Sequence, residues 1–386
     1  MNHWKRMAVA WAAGLMLIPA ACAEGTVTER MKHMTLREKV GQLFVIRPDA
    51  LEGRFGPAEL EDNSITGTTV VTDEMRAVYA QYPCGGFALF RKNILSPSQL
   101  TRLTESLHAI GGDVAPLLAI DEEGGRVARI ANHPTSFGVE KFEPMGKIAA
   151  AGDAQRAYQV GSVIGAYLKA YGIDVDFAPV ADVNTNPRNP VIGDRAFGDD
   201  PVLAAQMVRQ VVQGLRDSGT AGCLKHFPGH GDTATDTHTG YAETLKTWDQ
   251  IRDCEMVPFR AGMEAGAELI MTAHIAAPNV TGSDEPATMS RVLLTEKLRG
   301  EMGYQGLIIT DALSMGAITQ KFSSSQACIQ CILAGADLLL MPYDYYEAFD
   351  GVVQAVQDGV IPESRIDESL RRVLEFKQRH GGAEGL

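Results

Sequence analysis

The chain has 386 residues, 45% of them apolar and 22% charged, which is enough hydrophobic material for one large α/β barrel or two ordinary domains. Its formal charge of −13 excludes the function classes that need a basic surface, and so argues against nucleic acid or an anionic membrane as partner. A neutral small molecule is left open as the substrate.

The first element is a leader. Lys5 and Arg6 precede an apolar stretch from Met7 to Ala20, and Ala21-Cys22-Ala23 places small residues around a cleavage site. Residues 1–23 therefore read as an export signal, too short and wrongly flanked to span a membrane. Cys22 is also a candidate for a lipid anchor, although Pro19 stands where an aliphatic residue is usual. The expected location is outside the cytoplasm: extracellular, periplasmic or at the cell surface. The cysteines that remain neither support nor oppose this. Cys328 and Cys331 form a CxxC inside a helical pattern and read as core filler.

Residues 30–382 are expected to form one domain. Short apolar runs recur at 41–46, 85–90, 116–120, 175–180, 221–226, 269–274, 306–310 and 338–341. Helical patterns lie between them, for example at 153–170, 201–217 and 290–301, and another at 345–358 follows the last run. Runs this uniformly apolar belong to a parallel sheet covered on both faces. Eight such strand–helix units predict a closed (β/α)8 barrel. No glycine-rich dinucleotide fingerprint opens any unit, and no cofactor is expected. Residues 49–72, rich in Gly, Asp, Glu and Thr, predict a long loop on the C-terminal face of the barrel.

Barrel chemistry collects where the strands end. The third run leads into Asp121-Glu122-Glu123-Gly124-Gly125-Arg126, and the fourth is followed by Asp182, Asn184, Asn186 and a stretch holding Asp194 and Arg195. The fifth ends in Lys225 and His226 and opens into a loop with His230, Asp232, Asp236 and His238. The sixth ends in Thr272-Ala273-His274, and the seventh in Thr310-Asp311. Carboxylates, guanidinium, ammonium and imidazole converge on one rim. That lining suits a small polyhydroxylated ligand, because every hydroxyl both donates and accepts.

The run Lys225-His226-Phe227-Pro228-Gly229-His230-Gly231, followed by Asp236-Thr237-His238, resembles the signature of the β-N-acetylglucosaminidase branch of glycoside hydrolase family 3. The resemblance extends to Gly85-Gly86-Phe87-Ala88-Leu89-Phe90, Asp121-Glu122-Glu123-Gly124-Gly125-Arg126-Val127, Ile192-Gly193-Asp194-Arg195-Ala196-Phe197-Gly198 and Ile309-Thr310-Asp311-Ala312-Leu313, and covers residues 33–380. It implies a single (β/α)8 barrel in which Asp311 is the nucleophile of a retaining mechanism. His238 is implied as the general acid/base, Asp236 as its carboxylate partner, and Asp121, Arg195, Lys225 and His226 as holders of the sugar hydroxyls. A histidine titrates near neutrality and can both give and take the proton. Glu122 stands where the family often has Gln, and a change there is expected to matter little.

Only 75 residues follow Asp311. Within the family this points away from a second domain carrying the acid and towards N-acetylglucosaminides rather than glucosides. The expected activity is that of a retaining exo-β-N-acetylglucosaminidase acting on cell-wall fragments, chitooligosaccharides or other glycans, a small carbohydrate being the partner. Three other readings stay open. A phosphorylase on the same scaffold would use the same residues. A metal-dependent hydrolase would use His226, His230, Asp232 and His238, whose spacing fits no helical ligand pair. A non-catalytic sugar-binding protein would keep the pocket without needing Asp311 together with Asp236 and His238. The oligomeric state is not legible in the sequence.

Overall fold

A computed structural model describes residues 20–380 except 54, 63 and 236–241, with the backbone alone for 20–26. Its frame is eight strands: β1 Phe44–Ile46, β2 Gly86–Leu89, β3 Leu117–Ile120, β4 Val175–Asp176, β5 Ala221–Phe227, β6 Leu269–Thr272, β7 Leu307–Thr310 and β8 Leu339–Leu340. Neighbours follow chain order and every pair is parallel. β8 pairs with β1, and the bridge between Ile309 and Leu338 joins it to β7, closing the barrel. Each strand falls on one of the eight apolar runs. Successive side chains point to opposite faces of a strand. Leu117 and Ala119 therefore fill the barrel interior with Val45, Val175, Leu269 and Leu307, while Leu118 and Ile120 face the helices. Both faces are dry, which is why the runs carry no polar alternation.

The helices used below are α1 Ala20–His33, α2 Ala154–Ala170, α3 Pro201–Asp217 and α4 Glu363–His380. α3 starts where Asp200 accepts the Val202 and Leu203 amides and Pro201 occupies the first turn. α2 and α3 approach so closely that a Cβ on Gly161 would lie 2.2 Å from the Val211 carbonyl oxygen, and one on Gly214 2.3 Å from that of Tyr158. The helix expected at 290–301 is present but wound as a π-helix over Val292–Glu301. Cys328 and Cys331 face the core from helix Ser324–Ala334, and burial pushes both thiols up, consistent with core filler.

α1 packs through Val27 and Met31 on Leu370 and Leu374 of α4, so packed residues begin before the expected domain start at residue 30. The expected cleavage point near Ala23 falls inside α1, and residues 1–19 lie outside the described residues. Among the described residues no helix is long and apolar enough to cross a membrane.

The two ends of the barrel differ. α4 closes the N-terminal end, where Val373 and Phe376 join the interior cluster. Beside them Arg372 reaches Asp337 ahead of β8 at 3.0 Å, and Arg379 reaches Glu268 ahead of β6 at 2.9 Å. Arg299, Arg365 and Ser369 also converge on the buried Asp337, which accepts the Ile308 amide as well. At the C-terminal end the long loop after β1 is tied down rather than free. Buried Asp49 accepts the Thr68 amide and the Asn93 side chain, each at 2.9 Å, and Lys92 donates to the Leu60 carbonyl at 2.9 Å. Helix Pro57–Glu61 within it brings Glu61 to Arg47 at 2.8 Å.

Lys377 of α4 is buried with its Nζ on Gln42 Oε1 at 2.6 Å, and burial pushes its ammonium down to about 7 from the usual 10.5. The unfolded chain therefore binds more protons than the folded one between these two values, and the contribution to stability rises with pH across that window. In urea titrations, wild type should gain stability relative to Lys377→Met as pH goes from 7 to 10, by an amount on the order of a few kcal/mol in total. Parallel pH profiles for the two proteins would show that the amine titrates normally.

Candidate active site

A cavity of about 710 Å³ opens at the C-terminal ends of the strands, walled by Asp121, Glu123, Arg195, Lys225, His226, His230 and Asp311. Alternation continues past the end of β3. Asp121 and Glu123 face the cavity, whereas Glu122 turns the other way and is fully buried. The chain then reverses through Gly124 and Gly125, at φ 88° and 56°. A Cβ on Gly125 would lie 2.9 Å from Pro144 Cα. The returning segment meets Glu122, whose carboxylate accepts the amides of Arg129, Ile130 and Ala131 at 2.6, 2.9 and 2.8 Å and the Tyr167 hydroxyl at 2.8 Å. This corrects the expectation that Glu122 matters little. It fixes the segment that carries Arg129, and Arg129 Nη2 donates to Asp121 Oδ2 at 2.9 Å.

Lys225 arrives from β5 with its ammonium 2.8 Å from Asp121 Oδ1 and 2.6 Å from Glu123 Oε1. Arg195 grips Glu123 through two parallel bonds of 2.9 and 2.8 Å. Arg129, Asp121, Lys225, Glu123 and Arg195 thus form one chain of alternating charge. Burial by itself would raise both carboxyls. The Lys225 and Arg129 charges outweigh it and hold Asp121 well below the usual carboxylate range, while Lys225 and Arg195 lower Glu123 to about 2. Burial opposes the Lys225 charge too, but Asp121 and Glu123 hold it above its ordinary value. Both carboxylates are ionised at neutral pH, and the five groups present fixed donors and acceptors to hydroxyls.

Asp182, after β4, accepts the His226 imidazole Nδ1 at 2.7 Å and the backbone amides of His226 and His230 at 3.2 and 2.6 Å. Nδ1 must carry the proton, so Nε2 is the ring nitrogen left for a ligand. Burial would raise the Asp182 carboxyl, but His226 and His230 hold it low. His230 is held by the Thr233 hydroxyl at 2.7 Å, and burial, then the His226 charge, lowers its imidazole. Among the described residues, Asp232 has partners other than His226 and His230. It takes the Thr185 and Thr244 hydroxyls at 3.2 and 3.0 Å, and Lys246 bridges it at 3.4 Å to Glu255 at 2.5 Å. Both feet of the loop after β5 are tied in this way. Asp236 and His238 themselves lie outside the described residues.

Asp311 follows β7 on the cavity wall. Its amide donates to the Thr272 carbonyl at 3.0 Å, and the Ala312 amide donates to its Oδ1 at 2.7 Å. His274 Nε2 donates to the Ala312 carbonyl at 2.8 Å, with Nδ1 on the Thr288 hydroxyl at 2.9 Å. The backbone is thus held on either side, at the Asp311 amide and at the Ala312 carbonyl, and His274 is a positioning residue. Asp121, Arg195, Lys225, His226 and Asp311, all expected from the sequence, meet in one cavity. Glu123, Arg129 and His274 carry no assignment from the sequence. The period of two beyond β3 points to Glu123, and the Gly124-Gly125 reversal to Arg129. The end of the sixth apolar run places His274 at the rim but gives it no role.

A sequence model described as the glycosyl hydrolase family 3 N-terminal domain matches residues 35–376. Beta-hexosaminidase A of Pseudoalteromonas piscicida is 33% identical over 337 residues, 81% of this chain and 56% of that protein. Beta-hexosaminidase LpqI of Mycobacterium tuberculosis is 32% identical over 375 residues, 95% of this chain and 88% of that one. Among solved structures, a glycoside hydrolase family 3 β-N-acetylglucosaminidase from Paenibacillus sp. str. FPU-7 superposes with a TM-score of 0.81 at 36% identity, covering 92% of this chain and 65% of that chain. The chain spans little more than half the length of the first of these relatives.

The Glu122 cage is open to direct test. Glu122→Ala leaves four buried donors without their acceptor and should lower unfolding stability by about 3 kcal/mol. Tyr167→Phe, which removes one donor alone, should cost about 1 kcal/mol. Equal, negligible losses in chemical denaturation would show that the cage does not hold the Arg129 segment.

Proposed function

The chain belongs to glycosyl hydrolase family 3, and from that membership and the cavity we propose that it is an exo-acting β-N-acetylglucosaminidase that retains anomeric configuration. The observation that carries the reading is the position of Asp311, fixed on the wall of a cavity whose floor is the ionised chain of Asp121, Lys225, Glu123 and Arg195. The printed names of the relatives, β-hexosaminidase and β-N-acetylglucosaminidase, support the choice of sugar.

In this reading the terminal N-acetylglucosamine sits on the charged floor, with Arg129 adding donors and His226 Nε2 offered to a sugar hydroxyl. A carboxylate oxygen of Asp311 attacks the anomeric carbon as the bond to the leaving oxygen breaks, and His238 gives that oxygen its proton. His238 then takes a proton from water, whose oxygen displaces Asp311 and restores both groups. Asp236 orients His238 and favours its protonated form. Pinning the peptides before Asp311 and after Ala312 limits the motion of the nucleophile and so lowers the entropy lost in reaching the transition state. Export through residues 1–23, with Cys22 as a lipid attachment point in one variant of it, belongs to the same proposal.

Asp311→Ala should lower kcat/KM for an aryl β-N-acetylglucosaminide by several orders of magnitude with the circular dichroism spectrum unchanged. Near-wild-type turnover by the folded variant would remove Asp311 as nucleophile. His238→Ala should slow substrates with poor leaving groups most. An activated phenyl substrate should give a burst of phenol and then stall, with azide restoring part of the turnover because it needs no base. Equal slowing of good and poor leaving groups, without burst or rescue, would assign the proton transfer elsewhere.

A further inference from the structure

Among the described residues, four of the five lysine and arginine side chains on the cavity wall are matched to wall carboxylates. Arg47 pairs with Glu61, Arg129 with Asp121, Arg195 with Glu123, and Lys225 with both of the latter. The fifth is Arg91. It is exposed, and among the described residues its guanidinium has no hydrogen-bond or ion-pair partner. Its neighbour Lys92 turns inward to the Leu60 carbonyl, so the two adjacent cations divide, one holding the long loop and the other facing the mouth.

The turn that carries Arg91 is rigid. Asn93 accepts the Phe90 amide through its side chain at 2.9 Å, and its own amide donates to the Phe90 carbonyl at 2.9 Å. The Asn93 side chain is anchored on buried Asp49, and the Phe90 ring lies under the guanidinium of Arg47 at 4.2 Å. An unpaired cation on a fixed platform at a cavity mouth is a preorganised anion contact. It stands out in a chain of net charge −13, whose overall field repels anions.

Depth decides which part of a substrate would meet it. The matched charges of Lys225 and Glu123 are buried at the floor, and Arg91 is at the solvent side. A terminal sugar held on the floor points its leaving group towards the mouth. Resting on the glycosidase reading above, we propose that Arg91 recognises an anionic group, a carboxylate or phosphate ester, on the leaving-group side of the substrate.

The test compares 4-nitrophenyl and 3-carboxy-4-nitrophenyl β-N-acetylglucosaminides with wild type, Arg91→Gln and Arg91→Lys. The carboxylated-to-neutral ratio of kcat/KM should fall about fivefold in Arg91→Gln at low salt, the upper range for an exposed charge pair. Arg91→Lys should retain part of the ratio. The wild-type ratio should shrink as sodium chloride is added, since charges are screened beyond about 10 Å at 0.1 M ionic strength. A ratio identical in wild type and Arg91→Gln overturns the proposal and leaves the glycosidase reading intact. Absence of turnover of either substrate by wild type overturns that reading, and the proposal with it. With inorganic phosphate added, an Arg91-dependent yield of N-acetylglucosamine 1-phosphate alongside an unchanged ratio would assign the cation to an incoming anion, and the proposal would likewise fall.

Discussion

The ammonium of Lys225 is 2% exposed and lies between two carboxylates, Asp121 at 2.8 Å and Glu123 at 2.6 Å. Charges this far from water cost several kcal/mol each and are tolerated only as a set in which every member has a partner at contact distance. The set is completed by Arg129 at one end and Arg195 at the other. It also spans the barrel: Lys225 comes from β5 and both carboxylates follow β3, with β4 between them. Removing any one member would strand its neighbours, so the strand ends, the Gly124-Gly125 reversal and the segment bearing Arg195 are all constrained by one electrostatic requirement. The result is a floor whose donors and acceptors need no reorganisation to meet hydroxyl groups.

The constraint has a counterpart at the other end of the barrel. Asp337 gathers Arg299, Arg365 and Arg372, and Glu268 gathers Arg379 and His380, so that α4 is fastened across the N-terminal ends of the strands. These charges do not line the cavity. They hold the plug of Val373 and Phe376 in place and keep the interior dry. Function and closure are thus separated along the barrel axis, as the general architecture of such barrels leads one to expect.

Further buried hydrogen bonds surround the charged floor. Asp182 orients His226 and the start of the loop beyond it, and His274 and the Thr272 carbonyl pin the peptides flanking Asp311. His226 and Asp311 are therefore each held by buried partners. Tight positioning of this kind is what separates a cavity that merely contains suitable residues from one that brings them to bear on a single bond.

Much of this was legible in the amino-acid order. The eight apolar runs locate all eight strands because a strand covered on both faces must be apolar at nearly every position, a purely local requirement. Asp121, Lys225, His226 and Asp311 were legible for a related reason, since a charge at the end of an apolar run can only stand at the rim. Arg195 came through its resemblance to a family motif. Glu122, Glu123, Arg129 and His274 were decided by tertiary structure. Glu122 and Glu123 are adjacent and chemically alike, and only the faces they take after β3 make one a buried anchor for the Arg129 segment and the other a partner of Lys225. Arg129 matters because the chain doubles back, and His274 because β6 and β7 lie side by side. Burial at single positions is written locally in the sequence. Which distant groups then satisfy the buried charges and hydrogen bonds depends on contacts between segments far apart in the chain, and these exist only once the barrel has closed.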